Sequence, residues 1–221
     1  MSASRAWTPE EDRLRRRMYW LLGATFVHVL FEGGLGLLVS ILTGSLALHA
    51  HSIQALIEGG AAFLALRHLP RLSDREEDHT RHEHRLARWI GIAFLLLAAY
   101  VLIRGVHELI EGHHAEPSLV GLLLTVYAAL VMPLVGWAKY RTARRLGSEG
   151  LAAEAKESIS CAVLSFLTLV AMVGALAGAP GWLDPALSLL MVPWFLREGL
   201  AHVRGQVHAH LAARVPSGGG G

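Results

Sequence analysis

The stretch Gly44–Leu66, GSLALHAHSIQALIEGGAAFLAL, is apolar and long enough to cross a bilayer, yet it carries Gln54 and Glu58 one helical turn apart. A carboxylate at the centre of a membrane helix costs about 2.5–3.5 kcal/mol on insertion scales, and such groups usually face a pathway or a partner. A later apolar segment repeats the spacing with Glu157 and Cys161. Residues spaced i, i+4 share one face of a helix, so the sequence predicts two polar helix faces inside a membrane.

The composition indicates a membrane protein. Of 221 residues, 53% are hydrophobic and 17% are charged, and the mean hydropathy of +0.41 is too high for an ordinary soluble domain. The basic residues lie in short runs between apolar segments, which is typical of topology signals and argues against nucleic-acid binding. Cys161 is the only cysteine, so no disulfide can form within one chain. The sequence contains neither HExxH nor GxSxG, and we do not expect an enzyme.

Six apolar segments recur along the chain, each close to the ~20 residues that cross the hydrocarbon core. They lie at about 18–42, 44–66, 86–110, 118–138, 151–177 and 183–203. The fold class predicted is therefore an all-α integral membrane protein, a bundle of six transmembrane helices. We expect a multi-pass protein of the cell membrane, the inner or plasma membrane.

Lys and Arg gather before the first segment, between the second and third, and between the fourth and fifth, whereas the other connections contain neither. Since cytoplasmic loops hold the excess of basic residues, both termini are predicted to be cytoplasmic. The predicted organisation is a cytoplasmic segment at 1–17, a transmembrane domain at 18–205 and a disordered cytoplasmic tail at 206–221. Within the first segment, Thr8 and Pro9 are typical of the start of a helix that leads into the membrane.

The two polar pairs are predicted to meet near the midplane. At 1.5 Å per residue, Gln54 and Glu58 lie roughly 15 and 21 Å from the outer end of their segment. From the cytoplasmic end, Glu157 and Cys161 lie roughly 10 and 16 Å in. The four side chains offer carboxylate, thiolate and amide oxygen ligands, which suit a tetrahedral divalent ion such as Zn²⁺. Protons can neutralise the carboxylates when the ion is absent, so the pattern favours exchange of metal against protons.

One alternative for this pattern needs no ion. Lys156 adjoins Glu157 and would close the site as a permanent salt bridge, which would make the protein a non-transporting membrane accessory or scaffold. Taken alone, Cys161 is typical of a small core residue and Gln54 of a hydrogen bond between helices.

Other polar residues are open to two interpretations each. Glu32 and His28, one turn apart, would line the pathway or pair with each other, and His51 would line an exit or pack at the interface. The histidines within 71–88 would hold a metal transiently or be solvated. Asp184 is expected to cap the sixth helix.

The six segments, the GSLAL that opens the second and the WLDPALSLL that opens the sixth resemble the transmembrane domain of cation diffusion facilitator transporters, over about residues 15–205. The chain is similar to a short branch of that family whose members end after the sixth span, with matching patterns at Val131–Leu134, Leu146–Ser148, Cys161-Ala162 and Arg197–Gly199. The resemblance implies proton-coupled export of a divalent metal by a homodimer. The implied substrate is Zn²⁺, with Mn²⁺, Fe²⁺, Co²⁺ and Cd²⁺ as alternatives, and no tightly bound cofactor. The implied partners are the lipid bilayer, the cation, protons and a second copy.

The resemblance also exposes differences at the site. Zinc-exporting members place Asp or His at the positions of Gln54 and Glu58, and His and Asp at those of Glu157 and Cys161. The short branch commonly has Asp then Glu in the second span and Gln then Cys in the fifth. An acid and an amide are thus exchanged between the helices here, and the unchanged number of carboxylates indicates that the total charge of the site matters.

Overall fold

A computed structural model describes residues 8–68, 80–112, 115–116, 118–147 and 149–204. These residues form six α-helices and contain no strand. The helices are α1 Pro9–Thr43, α2 Leu46–His68, α3 Thr80–Glu111, α4 Leu119–Arg145, α5 Glu149–Leu176 and α6 Leu183–Val203. Each predicted apolar segment lies within one helix, apart from at most two residues at an end, so the prediction of an all-helical bundle is confirmed for the described residues.

Within the part of the chain that the structure describes, four stretches are long and apolar enough to cross a membrane: Pro9–Thr43, Arg88–Glu111, Leu119–Arg145 and Glu154–Leu176. Helices α2 and α6, with 23 and 21 residues, are not among these four. Helix α2 carries Gln54 and Glu58 near its middle, and α6 carries Asp184, Arg197 and Glu198 nearer its ends. The count of six spans and the cytoplasmic position of both ends stay predictions. The tail at 206–221, and the side chains of His79, His82 and His84, lie outside the described residues.

Helix α1 begins where the sequence predicts and continues without a break through the polar segment into the apolar one. Thr8 is the N-cap, its hydroxyl accepts from the Glu11 amide at 3.3 Å, and the Glu11 carboxylate accepts from the Thr8 amide at 2.8 Å. Pro9 occupies the first turn, where its missing N–H is not needed. At the other end, Gly44 ends α1 with a φ of 69°, a conformation that a residue without a Cβ adopts readily.

The helices pack as three extensive pairs, α1 with α2, α3 with α6 and α4 with α5, and α2 also contacts α3, α5 and α6. The α3–α6 pair approaches most closely at two glycines. A Cβ on Gly91 would lie 2.8 Å from the Gly199 carbonyl oxygen, and a Cβ on Gly199 would lie 2.9 Å from that of Gly91. Small residues at such crossings allow backbones to approach in membrane bundles.

The distribution of polarity is that of a membrane bundle. Large apolar side chains cover the outer surface, among them Val27, Phe31, Leu123, Leu134 and Leu190. The interior instead buries ionisable and hydroxyl groups, among them Glu32, His51, Glu58, Lys139 and Ser158. Lipid favours the apolar surface, and polar groups in a membrane segment face the bundle interior.

Asp184 caps α2 rather than its own helix, which corrects the sequence-based expectation. Its carboxylate accepts from the amides of Leu46 and Ala47, at 2.8 and 3.2 Å, and from the Ser45 hydroxyl at 2.7 Å. The N-cap residue of α6 is Trp182, whose side chain makes no capping hydrogen bond. The first amides of α2 lack partners within their own helix and lie at the positive end of its dipole. They therefore attract the Asp184 carboxylate, which belongs to the adjacent helix α6.

Candidate functional site

Three of the four predicted site residues form one hydrogen-bonded chain between α2 and α5. The Cys161 thiol donates to Gln54 Oε1 at 3.5 Å, and Gln54 Nε2 donates to Glu58 Oε2 at 3.5 Å. All three are buried, and Glu58 is only 1% exposed. The i, i+4 spacing on each helix therefore places Gln54, Glu58 and Cys161 as the sequence predicts, on facing sides of α2 and α5.

Glu157, the fourth predicted residue, contacts α6 instead. Its Oε1 lies 3.0 Å from Nε2 of His202, which the sequence interpretation did not single out. Glu157 is half-buried, whereas Cys161, one turn further along α5, is fully buried. The structure thus brings Gln54, Glu58 and Cys161 together. It places Glu157 one turn from Cys161 on α5, with its carboxylate against α6. Metal binding by this set stays a prediction.

A buried lysine, Lys139, adjoins this row of hydrogen-bonded side chains, although its position in a basic run predicts only a topology signal. The Ser158 hydroxyl donates to Glu58 Oε1 at 2.7 Å and accepts from Lys139 Nζ on α4. Lys139 is fully buried and also pairs with Glu154 Oε1 at 2.7 Å. The sequence gives one signal for the burial of Lys139. The residue directly follows the apolar segment 118–138, so its long side chain can reach the bundle interior.

Lys156 lies on the exposed face of α5. It is the residue expected to close the site if the protein is a non-transporting accessory or scaffold. The positively charged side chain that approaches the site from within the bundle is the ammonium of Lys139. It reaches Glu58 through Ser158, so its direct ion pair is with Glu154.

A second buried cluster lies one turn away, toward the end of the bundle where α2 begins. Glu32 Oε1 lies 2.9 Å from His51 Nε2, and Glu32 Oε2 lies 3.0 Å from His28 Nε2. The sequence left open whether Glu32 pairs with His28, and the structure places the two together with His51 as a further partner. His51 Nε2 also lies 3.4 Å from the Ser165 hydroxyl, which donates to the backbone carbonyl of Cys161 at 2.8 Å.

The two clusters give the bundle interior a continuous polar region across α1, α2 and α5. It contains the buried carboxylates of Glu32, Glu58 and Glu154. Buried carboxylates are costly without a compensating charge, and here histidines, hydroxyls and one lysine surround them. Such a region can offer oxygen, nitrogen and sulfur ligands to a cation away from lipid.

A family model described as the cation efflux transmembrane domain matches residues 24–207. The chain belongs to the cation efflux family. Proteins of this family are transporters, not enzymes, so this chain is a membrane cation transporter by family, and the resemblance inferred from the sequence motifs is confirmed. A search of curated proteins found no matching relative.

Proposed function

We propose that this cation efflux protein exports a divalent metal cation, zinc or a similar ion, in exchange for protons, through a site on α2 and α5. The ligands are Gln54, Glu58, Glu157 and Cys161. The observation that carries the proposal is the burial of Glu58 at the centre of a polar chain that joins α2 to α5 through Gln54 and Cys161. A buried carboxylate next to a thiol and an amide oxygen is a donor set that zinc accepts.

The same contacts support coupling to protons. The Cys161 thiol carries a proton that it donates to Gln54 Oε1, and thiolate rather than thiol binds metal. A cation that binds there therefore releases protons, and protons that return favour release of the cation. Each transport cycle then exchanges a divalent cation for protons at this site.

Glu157 joins this set by leaving His202. It lies i, i+4 from Cys161 on α5, so the two side chains project from the same side of the helix. The proposal requires the Glu157 carboxylate to move from His202 toward Cys161. The resemblance further implies a homodimer in the cell membrane, with no tightly bound cofactor, and we include both in the proposal.

Lys139 favours a second candidate function, that of a non-transporting accessory or scaffold protein. In this alternative the buried ammonium, rather than that of Lys156, permanently balances the interior carboxylates through Glu154 and Ser158. We favour transport because Lys139 pairs directly with Glu154 and leaves Glu58 in contact with neutral groups, Gln54 and Ser158.

Metal flux in proteoliposomes tests the proposal. We expect pH-driven uptake of Zn²⁺ by the unaltered protein, and loss of uptake in Glu58→Gln and Glu157→Gln. Glu111→Gln is the matched control, because Glu111 is exposed on α3. Mn²⁺, Fe²⁺, Co²⁺ and Cd²⁺ are measured in the same way.

Unchanged uptake in both site variants would overturn the site assignment. Absence of uptake by the unaltered protein, together with no pH-dependent metal binding in isothermal titration, would favour the scaffold.

A further inference from the structure

Three potential metal ligands converge where α5 begins and α6 ends. Glu157 extends from α5, and Glu198 and His202 extend from α6, where their i, i+4 spacing puts them on one face. Each offers one ligand atom, and the three atoms lie within 4.8 Å of one another. The cluster is separate from Gln54, Glu58 and Cys161 except that Glu157 belongs to both sets.

The imidazole of His202 is held as metal-binding histidines are held. Its Nδ1 lies 3.0 Å from the backbone carbonyl oxygen of Glu198, which can only accept a hydrogen bond. Nδ1 therefore carries a hydrogen, and Nε2 donates a second hydrogen to the Glu157 carboxylate, which can only accept, so a metal ion would take the place of that hydrogen on Nε2. A histidine that donates one ring N–H to a carbonyl and presents the other nitrogen is the usual arrangement around a protein-bound metal.

The ring is also fixed by packing. His202 is 4% exposed, and its ring centroid lies 6.0 Å from that of Phe94 on α3. The Nε2–Oε1 separation of 3.0 Å matches two ligands of one ion. With metal–nitrogen and metal–oxygen distances of about 2.0–2.2 Å, two ligand atoms at angles between a right angle and the tetrahedral angle lie about 2.8–3.6 Å apart.

Charge and access fit a divalent cation. Glu157 and Glu198 are partly exposed, with 13% of the Glu157 side chain accessible, whereas His202 is buried. Among the described residues, no Lys or Arg forms an ion pair with either carboxylate. The adjoining Arg197 lies over the Trp194 ring, with its Cζ 5.2 Å from the ring centroid. Two carboxylates and an imidazole balance a 2+ ion and match ligand types that zinc uses.

We propose that Glu157, Glu198 and His202 form a second binding site for a divalent metal cation, the α5–α6 site. Glu157 is shared with the inner cluster, so its side chain passes the ion between the α5–α6 site and Cys161, one turn further along α5. That passage rests on the proposed transport function, whereas metal binding by the three residues does not.

The test uses Co²⁺ and Zn²⁺ on the full chain in detergent, in a background that removes the inner ligands, Glu58→Gln with Cys161→Ser. We expect this background to bind Zn²⁺, and its Co²⁺ complex to show visible bands without the near-ultraviolet thiolate band. Adding Glu198→Gln should weaken binding at least about tenfold, because loss of a direct ligand costs no less than loss of an outer partner. Adding Glu111→Gln instead, in the exposed His107–Glu111 pair on α3, should leave binding unchanged.

The α5–α6 site is refuted if the background binds neither ion, or if Glu198→Gln binds as tightly as the background. X-ray absorption of the zinc-loaded background is the second measurement, independent of how well Glu198→Gln folds. It should show imidazole scattering and no sulfur, and a zinc shell without imidazole also refutes the site.

Zinc flux by the unaltered protein is measured in parallel. Binding at the cluster without flux refutes transport and leaves the α5–α6 site standing. Flux without binding at the cluster refutes only the α5–α6 site.

Discussion

Replacing Lys139 with Met removes a fully buried ammonium and keeps an unbranched, apolar side chain of similar length. The change leaves Glu154, which is 6% exposed, without the Nζ that lies 2.7 Å from its carboxylate. It also removes the donor to Ser158, and so alters the hydrogen-bonded chain to Glu58. Removing one partner of a buried ion pair costs about 3–5 kcal/mol, because the other charge remains buried and unpaired. This corresponds to a fall of about two to three and a half orders of magnitude in the folding equilibrium constant.

Unfolding of the purified protein by increasing fractions of SDS in mixed micelles, followed by circular dichroism, measures this loss. The chain has one other lysine, so Lys156→Met is the same substitution at an exposed position of α5. We expect it to change the free energy of unfolding by no more than about 0.5 kcal/mol. The double variant Lys139→Met with Glu154→Gln should recover most of the lost stability, because neither charge then remains buried.

Two results would contradict this reasoning. If Lys139→Met unfolds at the same SDS fraction as Lys156→Met, the buried pair does not stabilise the bundle. If the double variant is no more stable than Lys139→Met alone, an unpaired Glu154 is not the cause of the loss.

Two further substitutions test the packing of α6. Asp184→Asn should lower the free energy of unfolding by about 1–2 kcal/mol, because the charge at the start of α2 is lost, and equal SDS midpoints for variant and unaltered protein would exclude a capping role. Gly91→Ala should cost about 1–3 kcal/mol, because its Cβ would lie 2.8 Å from the Gly199 carbonyl oxygen. Gly34→Ala is the control, since nothing lies within 4 Å of its Cβ, and a Gly91 variant as stable as this control would show that α3 and α6 can separate without loss.

The helices were predictable because their main signal is local. About twenty apolar residues in a row predict a helix in a membrane, and each of the six segments lies within one helix apart from at most two residues at an end. The start of α1 at Thr8 and Pro9 was predictable, because the residues that predict it are the same ones that form the cap. The partner of Asp184 was not, since a cap supplied to a neighbouring helix depends on how α6 lies against α2.

The sequence predicts the depth of each site residue along its helix, but not the direction in which the helix faces its neighbours. The i, i+4 spacing and the depth estimate correctly brought Cys161 close to Gln54 and Glu58. They do not give the rotation of α5 relative to α6, which directs Glu157 to His202.

Lys139 was missed for a different reason. Its aliphatic stem allows the ammonium to extend along the bundle from a position at the end of an apolar segment, so hydropathy alone assigns it to the connection.

Helix α6 makes polar contacts at both of its ends, with α2 at its start and with α5 in its last turn. Asp184 at its start holds the first turn of α2, and His202 in its last turn holds α5 through Glu157. A rigid tilt of α6 away from α5 therefore breaks the His202 contact and can keep the Asp184 contact as a pivot. A tilt at the other end does the opposite. The two ends of α6 therefore depend on different neighbours, and the contact at one end can be lost while the contact at the other is kept.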